Sequence, residues 1–342
     1  MAKGLPGEFE LIELLTRNLT LPSSVLKGPG DDCAILDVGG DILLLLTCDS
    51  QVEGVHFRFD ISTPEEVGRK AMTVNQSDIA AMGGEPRYAL VSLIIPEHIP
   101  LEMLERVYAG LREQAGRFST AIIGGNIAGA GKGEQLIIDI TLLGSVERGH
   151  VLTRDGAQVG DSVFVTGLPG EAVAGLFTYF HPDYDYPQAE RDALRAVLRN
   201  PVPRVREGRI LSQSGPHIVT SMLDISDGLS GDLRHICEQS HVGARIDIDR
   251  LPITPAMQAV ASAAHANPLD WALHGGDAYE LLFTVAPGHE ATVLQALQAE
   301  PQLPVTRIGS IIPASEGMLI HWPDGREEPL APRSWDHFMS TE

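Results

Sequence analysis

Three aspartates, Asp224, Asp227 and Asp232, fall within the stretch MLDISDGLSGDL. The apolar run HIVTSML that leads into them reads as a strand, so the carboxylates arrive where a buried element ends. A second acid is placed more sharply. In TPEEVGRKAMTVNQSDIAAMGG, Asp78 follows Val74 by four positions and Val67 by eleven, on the apolar stripe of a helix that also carries Ala71 and Ala81. A lone buried carboxylate is costly and is normally ion-paired or bound to a metal. An ion pair to Lys70 or Arg87 is the protein-only solution. Asp31 and Asp32 sit in the glycine turn GPGDDCAI, and Asp49 ends the run ILLLLTC. Taken singly, Ser226 or Asp227 reads as a helix cap and Asp31 and Asp32 as turn formers. Taken together they are carboxylates delivered one at a time from several strand ends. That arrangement suits a hard cation such as Mg²⁺, which takes a few carboxylates and leaves other positions to water and phosphate.

The elements that must position these acids are readable in outline. GEFELIELLTRNL has the apolar spacing of a short amphipathic helix. The helix over residues 63–84 has Thr63 as cap, Pro64 in its first turn, Glu66 completing a capping box, and Gly83 and Gly84 as its stop. QVEGVHFRF reads as an extended piece separate from ILLLLTCD. YALVSLII, TAIIGGN and QLIIDITLLGSV read as strands, and LEMLERVYAGLREQAGRF as a helix. The polar, glycine-bearing stretch RGHVLTRDGAQVGD divides the chain, with one domain over 1–150 and a second over 151–342. Beyond it, SVFVTG, ARIDI and YELLFTV read as strands, and GEAVAGLFTYF and TPAMQAVASAA as helices. Strands and helices alternate in both halves, which gives an α/β (α+β) class for each.

Composition narrows the partners. The chain of 342 residues carries 25 basic against 46 acidic residues, a net charge of −21. No Lys/Arg-rich run offsets that field, which excludes a nucleic-acid backbone as partner. Phosphorylated substrates are admissible only with divalent cations between protein and phosphate. Cys33, Cys48 and Cys237 form no CxxC pair and no disulfide framework, which fits a reducing, cytoplasmic compartment. MAKGLPGEFELIELL lacks a signal-peptide layout, and ILLLL is too short to cross a bilayer. The nearest approach to a P-loop, NIAGAGKG, has Asn126 at the required first glycine and Gly133 at the hydroxyl position. It is not a G-x-G-x-x-G either, so Walker-type and dinucleotide-binding readings fail together.

The motifs GPGDDCAI, TCDSQVEGVHF, KAMTVNQSDIAAMGGEP, LTRDGAQVGD, MLDISDGLSGDL and GGDAYELLF resemble, in this order, those of the thiamine-monophosphate kinase family. That family lies within the aminoimidazole ribonucleotide synthetase and selenophosphate synthetase superfamily. NQSDIAAMGGEP points to the superfamily, and VEGVHF, DISDGL and the terminal WDHF point to the kinase branch. The resemblance implies a two-domain aminoimidazole ribonucleotide synthetase-like fold that dimerises through its N-terminal half. ATP and several Mg²⁺ ions would lie between the domains, with thiamine phosphate as acceptor. It implies Asp32, Thr47, Asp49, Asp78, Asp224 and Asp227 as metal ligands, with Cys48 adding its backbone carbonyl. Gly125, Arg154 and Ser226 match ATP-contacting positions, and His56, Asp277 and Trp335 match positions on thiamine phosphate. The acceptor phosphate is already ionised near neutral pH, so the reaction needs no obligatory general base, only positioning and charge neutralisation. Arg154 can clamp phosphate oxygens, His56 can donate to the acceptor phosphate, and Trp335 offers a ring face to the cationic thiazolium.

Two positions depart from the family pattern. GGNIA places Asn126 where Gly-Gly-Asp-Thr is usual, so at a position that the resemblance implies for metal and ATP an amide oxygen replaces a metal-binding carboxylate and its charge. GGDAYELLF places Asp277 and Ala278 where Glu and then Asp are usual. These departures leave two other readings open. One is a related ATP-dependent enzyme with another phosphorylated acceptor. The other is a nucleotide-binding protein without catalysis.

Overall fold

The computed structural model describes residues 6–133, 135–298 and 303–333. A short helix, α1 (Glu8–Thr16), precedes three strands, β1 (Val25–Lys27), β2 (Ala34–Asp37) and β3 (Ile42–Val52). Then come α2 (Pro64–Ala81), β4 (Glu85–Ile95), α3 (Leu101–Arg117), β5 (Ala121–Gly129) and β6 (Ile137–Glu147). These strands form one sheet in the order β1-β2-β3-β6-β4-β5, antiparallel except for the β4–β5 edge. The rest of the chain opens with β7 (Ser162–Thr166), α4 (Glu171–Phe180), α5 (Gln188–Arg199), α6 (Val205–Ser212), β8 (Val219–Ile225) and α7 (Leu229–Ser240). It continues with β9 (Val242–Asp247), α8 (Pro255–Ala264), α9 (Pro268–His274), β10 (Glu280–Val285), α10 (Glu290–Leu297), β11 (Val305–Pro313), β12 (Met318–His321) and β13 (Glu327–Pro329). Its sheet runs β13-β12-β9-β11-β7-β10-β8, with β9 and β12 the parallel pair. Each sheet has its own apolar core, so the α/β (α+β) reading of the two halves holds.

Helix α2 ties the two sheets together. Its start is as the sequence requires: the Thr63 hydroxyl accepts from the Glu66 N–H at 3.3 Å, and the Glu66 carboxylate accepts from the Thr63 N–H at 2.8 Å. Val67, Ala71 and Met72 join the core of the first sheet, while Ala81 packs with Phe164, Met222 and Phe283 of the second. The helix is therefore buried on nearly every side and is not amphipathic in the ordinary sense. Close approach is secured by missing side chains. A Cβ on Gly68 would lie 2.0 Å from the Val107 carbonyl oxygen, and one on Gly208 2.2 Å from that of Ala80.

One expectation is corrected, and one element was not foreseen. QVEGVHFRF is not a separate extended piece, because its first residues continue β3 as far as Val52. The strand ends there because the Val52 N–H donates to His56 Nδ1, 3.0 Å away, and the chain turns. Helix α9, from PLDWALH, is an element that the periodicity did not announce: seven residues are too few for a 3.6-residue pattern to show.

Candidate active site

The site forms where β3, α2 and the edge strand β8 meet. Alternation along β3 sends Leu43 and Leu45 into the core, and the same face then carries Thr47 and Asp49. Three turns after Val67, α2 brings Asp78 opposite them. The Thr47 hydroxyl donates to Asp78, and Asp49 and Asp78 share a hydrogen bond. One residue earlier on α2, the Ser77 hydroxyl donates to Asp224 Oδ2 at 2.5 Å, linking the helix to the end of β8. The turn before β2 supplies Asp32. Arg154 donates to Asp32 Oδ1 from both Nη2, at 2.5 Å, and Nε, at 3.2 Å.

Oxygens of Asp32, Asp78 and Asp224 all lie within 4.8 Å of one another. Three carboxylates this close, those of Asp32 and Asp224 buried and that of Asp78 partly so, repel each other when ionised. Burial pushes Asp32 up to about 7, Arg154 opposing and Asp224 and Asp31 adding to the shift. Burial pushes Asp224 up to about 6, against the Ser77 hydrogen bond and the Arg154 charge. Asp78 is driven well above the carboxylate range by burial and then by Asp49, Asp224 and Asp32. Asp49 is raised by burial as well. The only guanidinium in the group takes one oxygen of Asp32. The other, Oδ2, is buried and has no hydrogen-bond partner among the described residues. A divalent cation fits this donor set: hard oxygens, excess negative charge and one oxygen without a partner.

Asp227 stands beside this group, pushed up to about 7 by burial and by the charges of Glu8 and Asp277. Its turn is fixed by Asp232, whose carboxylate accepts from the N–H groups of Asp227 at 3.3 Å and Gly228 at 3.1 Å. The backbone carbonyl of Ser226 accepts from the Asp277 N–H at 2.8 Å. Cys48 points to the opposite face of the sheet, 3.4 Å from Asp139 Oδ1, so its thiol is turned away from the carboxylates.

His56 and Asp277 are brought together by Lys70, which the sequence offered only as a partner for Asp78. Lys70 on α2 donates to the His56 carbonyl at 3.1 Å and to Asp277 Oδ2 at 2.7 Å. The Tyr279 hydroxyl donates to the other Asp277 oxygen at 2.8 Å. Asp277 is held in a left-handed conformation, φ 60°, a strained choice for a residue with a side chain. The bond from Val52 requires His56 Nδ1 to be unprotonated, which leaves the neutral ring's proton on Nε2. Lys70 lies on a helix buried on nearly every side, but its partner lies 207 residues away, so no local spacing points to it. Asp78 does not pair with Lys70 or Arg87, whose carboxylates are Asp277 and Glu85.

Gly125 and Asn126 are not brought to the carboxylates within one chain. They lie on edge strand β5, where Asn126 pairs with Ser92, Ser92 with Asp139, and Asp139 with Ser50 on β3. Three strand spacings of ~4.8 Å separate Asn126 from β3. Trp335 lies outside the described residues.

Comparison with known proteins agrees with this fold. The family models for AIR synthase related proteins match residues 30–146 with the N-terminal domain and 158–321 with the C-terminal domain. The thiamine-monophosphate kinase of Aquifex aeolicus is 36% identical over 97% of this chain and 98% of its own length. That of Bacillus subtilis is 34% identical over 97% and 99%. The structure of AaThiL complexed with AMPPCP and TMP superposes with a TM-score of 0.81 at 34% identity, covering 97% of both chains.

Proposed function

The chain belongs to the AIR synthase related family and, within it, to the thiamine-monophosphate kinases, and on that premise we propose how its buried carboxylates serve phosphoryl transfer from ATP to thiamine phosphate. The protein is a phosphotransferase with a phosphate group as acceptor, and thiamine diphosphate is its product. The carrying observation is the Asp32–Asp78–Asp224 group with the partnerless Oδ2 of Asp32. These three, with Thr47, Asp49, Asp227 and the Cys48 backbone carbonyl, would hold Mg²⁺. Bound there, Mg²⁺ supplies charge neutralisation for the transferring phosphoryl group.

The chain's own residues divide the remaining work. Arg154, which neutralises one Asp32 oxygen, is the cation placed to take nucleotide phosphate oxygens, with Ser226 at the neighbouring turn. His56, fixed by Val52, presents an Nε2–H donor to the acceptor phosphate. Lys70 and Tyr279 orient Asp277 toward the heterocycles of the acceptor, and Trp335 is assigned the stacking face. No side chain is asked to remove a proton.

The domain limits 1–150 and 151–342 belong to this proposal, as does a cytoplasmic setting. So does a homodimer formed through the N-terminal half. Tyr88 and Leu90 on one face of the first sheet are 50% and 46% exposed, and Ile127 on its edge strand is 74% exposed. Gly125 and Asn126 ride on that same edge. In a dimer, the partner's edge strand is the one that would supply them to the site.

The test follows thiamine diphosphate by conversion to fluorescent thiochrome. Product that requires protein, ATP, thiamine phosphate and Mg²⁺ together is expected. ATP binding with no product from thiamine phosphate would overturn the assignment.

A further inference from the structure

Beside Asp277 opens a cavity of about 550 Å³. Small-molecule pockets span roughly 300–1,000 Å³, so a two-ring ligand is admissible on size. Leu168, Val197 and Val202 give it apolar walls. Its charges are lopsided: Glu171, Glu207, Asp277 and Glu280 line it together with a single guanidinium, that of Arg204. Arg204 is committed, since it grips Glu280 through Nε at 2.6 Å and Nη2 at 2.5 Å. The Thr166 hydroxyl joins the same carboxylate at 2.6 Å. Lys70 is committed to Asp277. Glu171, the first residue of α4, differs. Its hydrogen bond comes from the Thr254 side chain, and among the described residues it makes no ion pair with a lysine or arginine. Burial raises its pKa, and the Glu280 charge adds to the rise. The cavity therefore holds a half-buried carboxylate awaiting a counter-charge, and its wall includes Ala278, one of the two positions where the chain departs from the family's acids.

We propose that Glu171 is the counter-charge for the cationic thiazolium of the acceptor, replacing from the start of α4 the carboxylate that Ala278 does not provide. The proposal rests on thiamine phosphate being the acceptor. The pocket's preference is then for an aromatic organic cation over its neutral isostere, because only the cation neutralises Glu171 when water is excluded.

The test uses the full chain and two probes, thiamine and a neutral analogue in which a thiophene replaces the thiazolium. Wild type should bind thiamine about ten- to a hundredfold more tightly than the analogue by calorimetry. Glu171→Gln should erase that preference while leaving ATP binding unchanged. Glu171→Asp, which keeps the charge, should retain part of it. In turnover, Glu171→Gln should raise KM for thiamine phosphate with kcat and KM for ATP preserved. An undiminished preference for thiamine in Glu171→Gln would overturn the proposal, and so would an equal loss for thiamine, analogue and ATP. If thiamine binding depends on Glu171 but thiamine phosphate is not phosphorylated, the kinase assignment fails and the cation pocket stands. If phosphorylation proceeds with an unchanged KM in Glu171→Gln, the pocket assignment fails and the kinase stands.

Discussion

Buried carboxylates occur in two neighbouring regions of this molecule and are treated in opposite ways. Glu280 is held by both arms of the Arg204 guanidinium and by the Thr166 hydroxyl. Asp32, Asp78 and Asp224 share one arginine among three charges, and Asp32 Oδ2 is left without a partner. Burial alone therefore does not mark a functional acid. What separates them is whether the protein supplies the opposite charge itself or leaves it to be brought in.

The sharpest way to break this contrast is to remove Arg204. Arg204→Met leaves Glu280 buried and uncompensated, so urea unfolding should show a loss of about 3–5 kcal/mol. The double variant Arg204→Met/Glu280→Met should regain most of it, because two apolar groups replace the pair. At the other region the sign reverses. Asp78→Asn replaces an acid whose ionised form burial and its neighbours disfavour, so the cation-free protein should melt no lower than wild type. Its turnover should nevertheless fall by roughly 10²–10³-fold in the thiochrome assay. A stability loss like that of Arg204→Met would show that Asp78 is a structural acid after all.

The smallest effect is a dependence of cation stabilisation on pH. In the fold, Asp32 and Asp227 titrate near 7 and Asp224 near 6, against an ordinary value of 3.8. Between those values the folded chain binds more protons than the unfolded one. Their contribution to the stability of chelator-treated protein is thus full below about pH 4 and is lost as pH rises through 6 to 7. Mg²⁺ competes with those protons. Its addition should raise Tm by a few degrees at pH 8 and by clearly less at pH 5.5. Equal shifts at both pH values would place the cation elsewhere.

Much of this site was legible in the sequence because its parts obey local rules. Asp78 could be placed on the inner face of α2 by counting turns, and the Thr63–Glu66 box fixed where counting begins. Asp224 could be placed near a strand end because the apolar run before it stops abruptly, whereas Asp49, expected at the end of ILLLLTC, lies inside β3, which continues to Val52. Pairings across the chain followed no local rule. Arg154 meets Asp32 from 122 residues away, whereas its sequence neighbours Asp155 and Asp161 turn to Lys27 and to Thr220. Lys70 meets Asp277 rather than Asp78 for the same reason, because tertiary packing and not spacing chose its partner. Glu171 gave no signal at all, since one acid at the start of a helix is an ordinary feature.

The glycine crossings of α2 have a mechanical consequence. Gly68 seats α2 on α3 within the first half of the chain, and at Gly208 the backbone of α6 presses on that of α2 at Ala80, which leaves little slack for the second sheet to slide over the first. The joint is a clamp and not a hinge. A joint this close favours movement of loops and side chains over movement of one sheet against the other. A larger residue at either glycine would act as a wedge, spreading the acids at a distance without touching any of them.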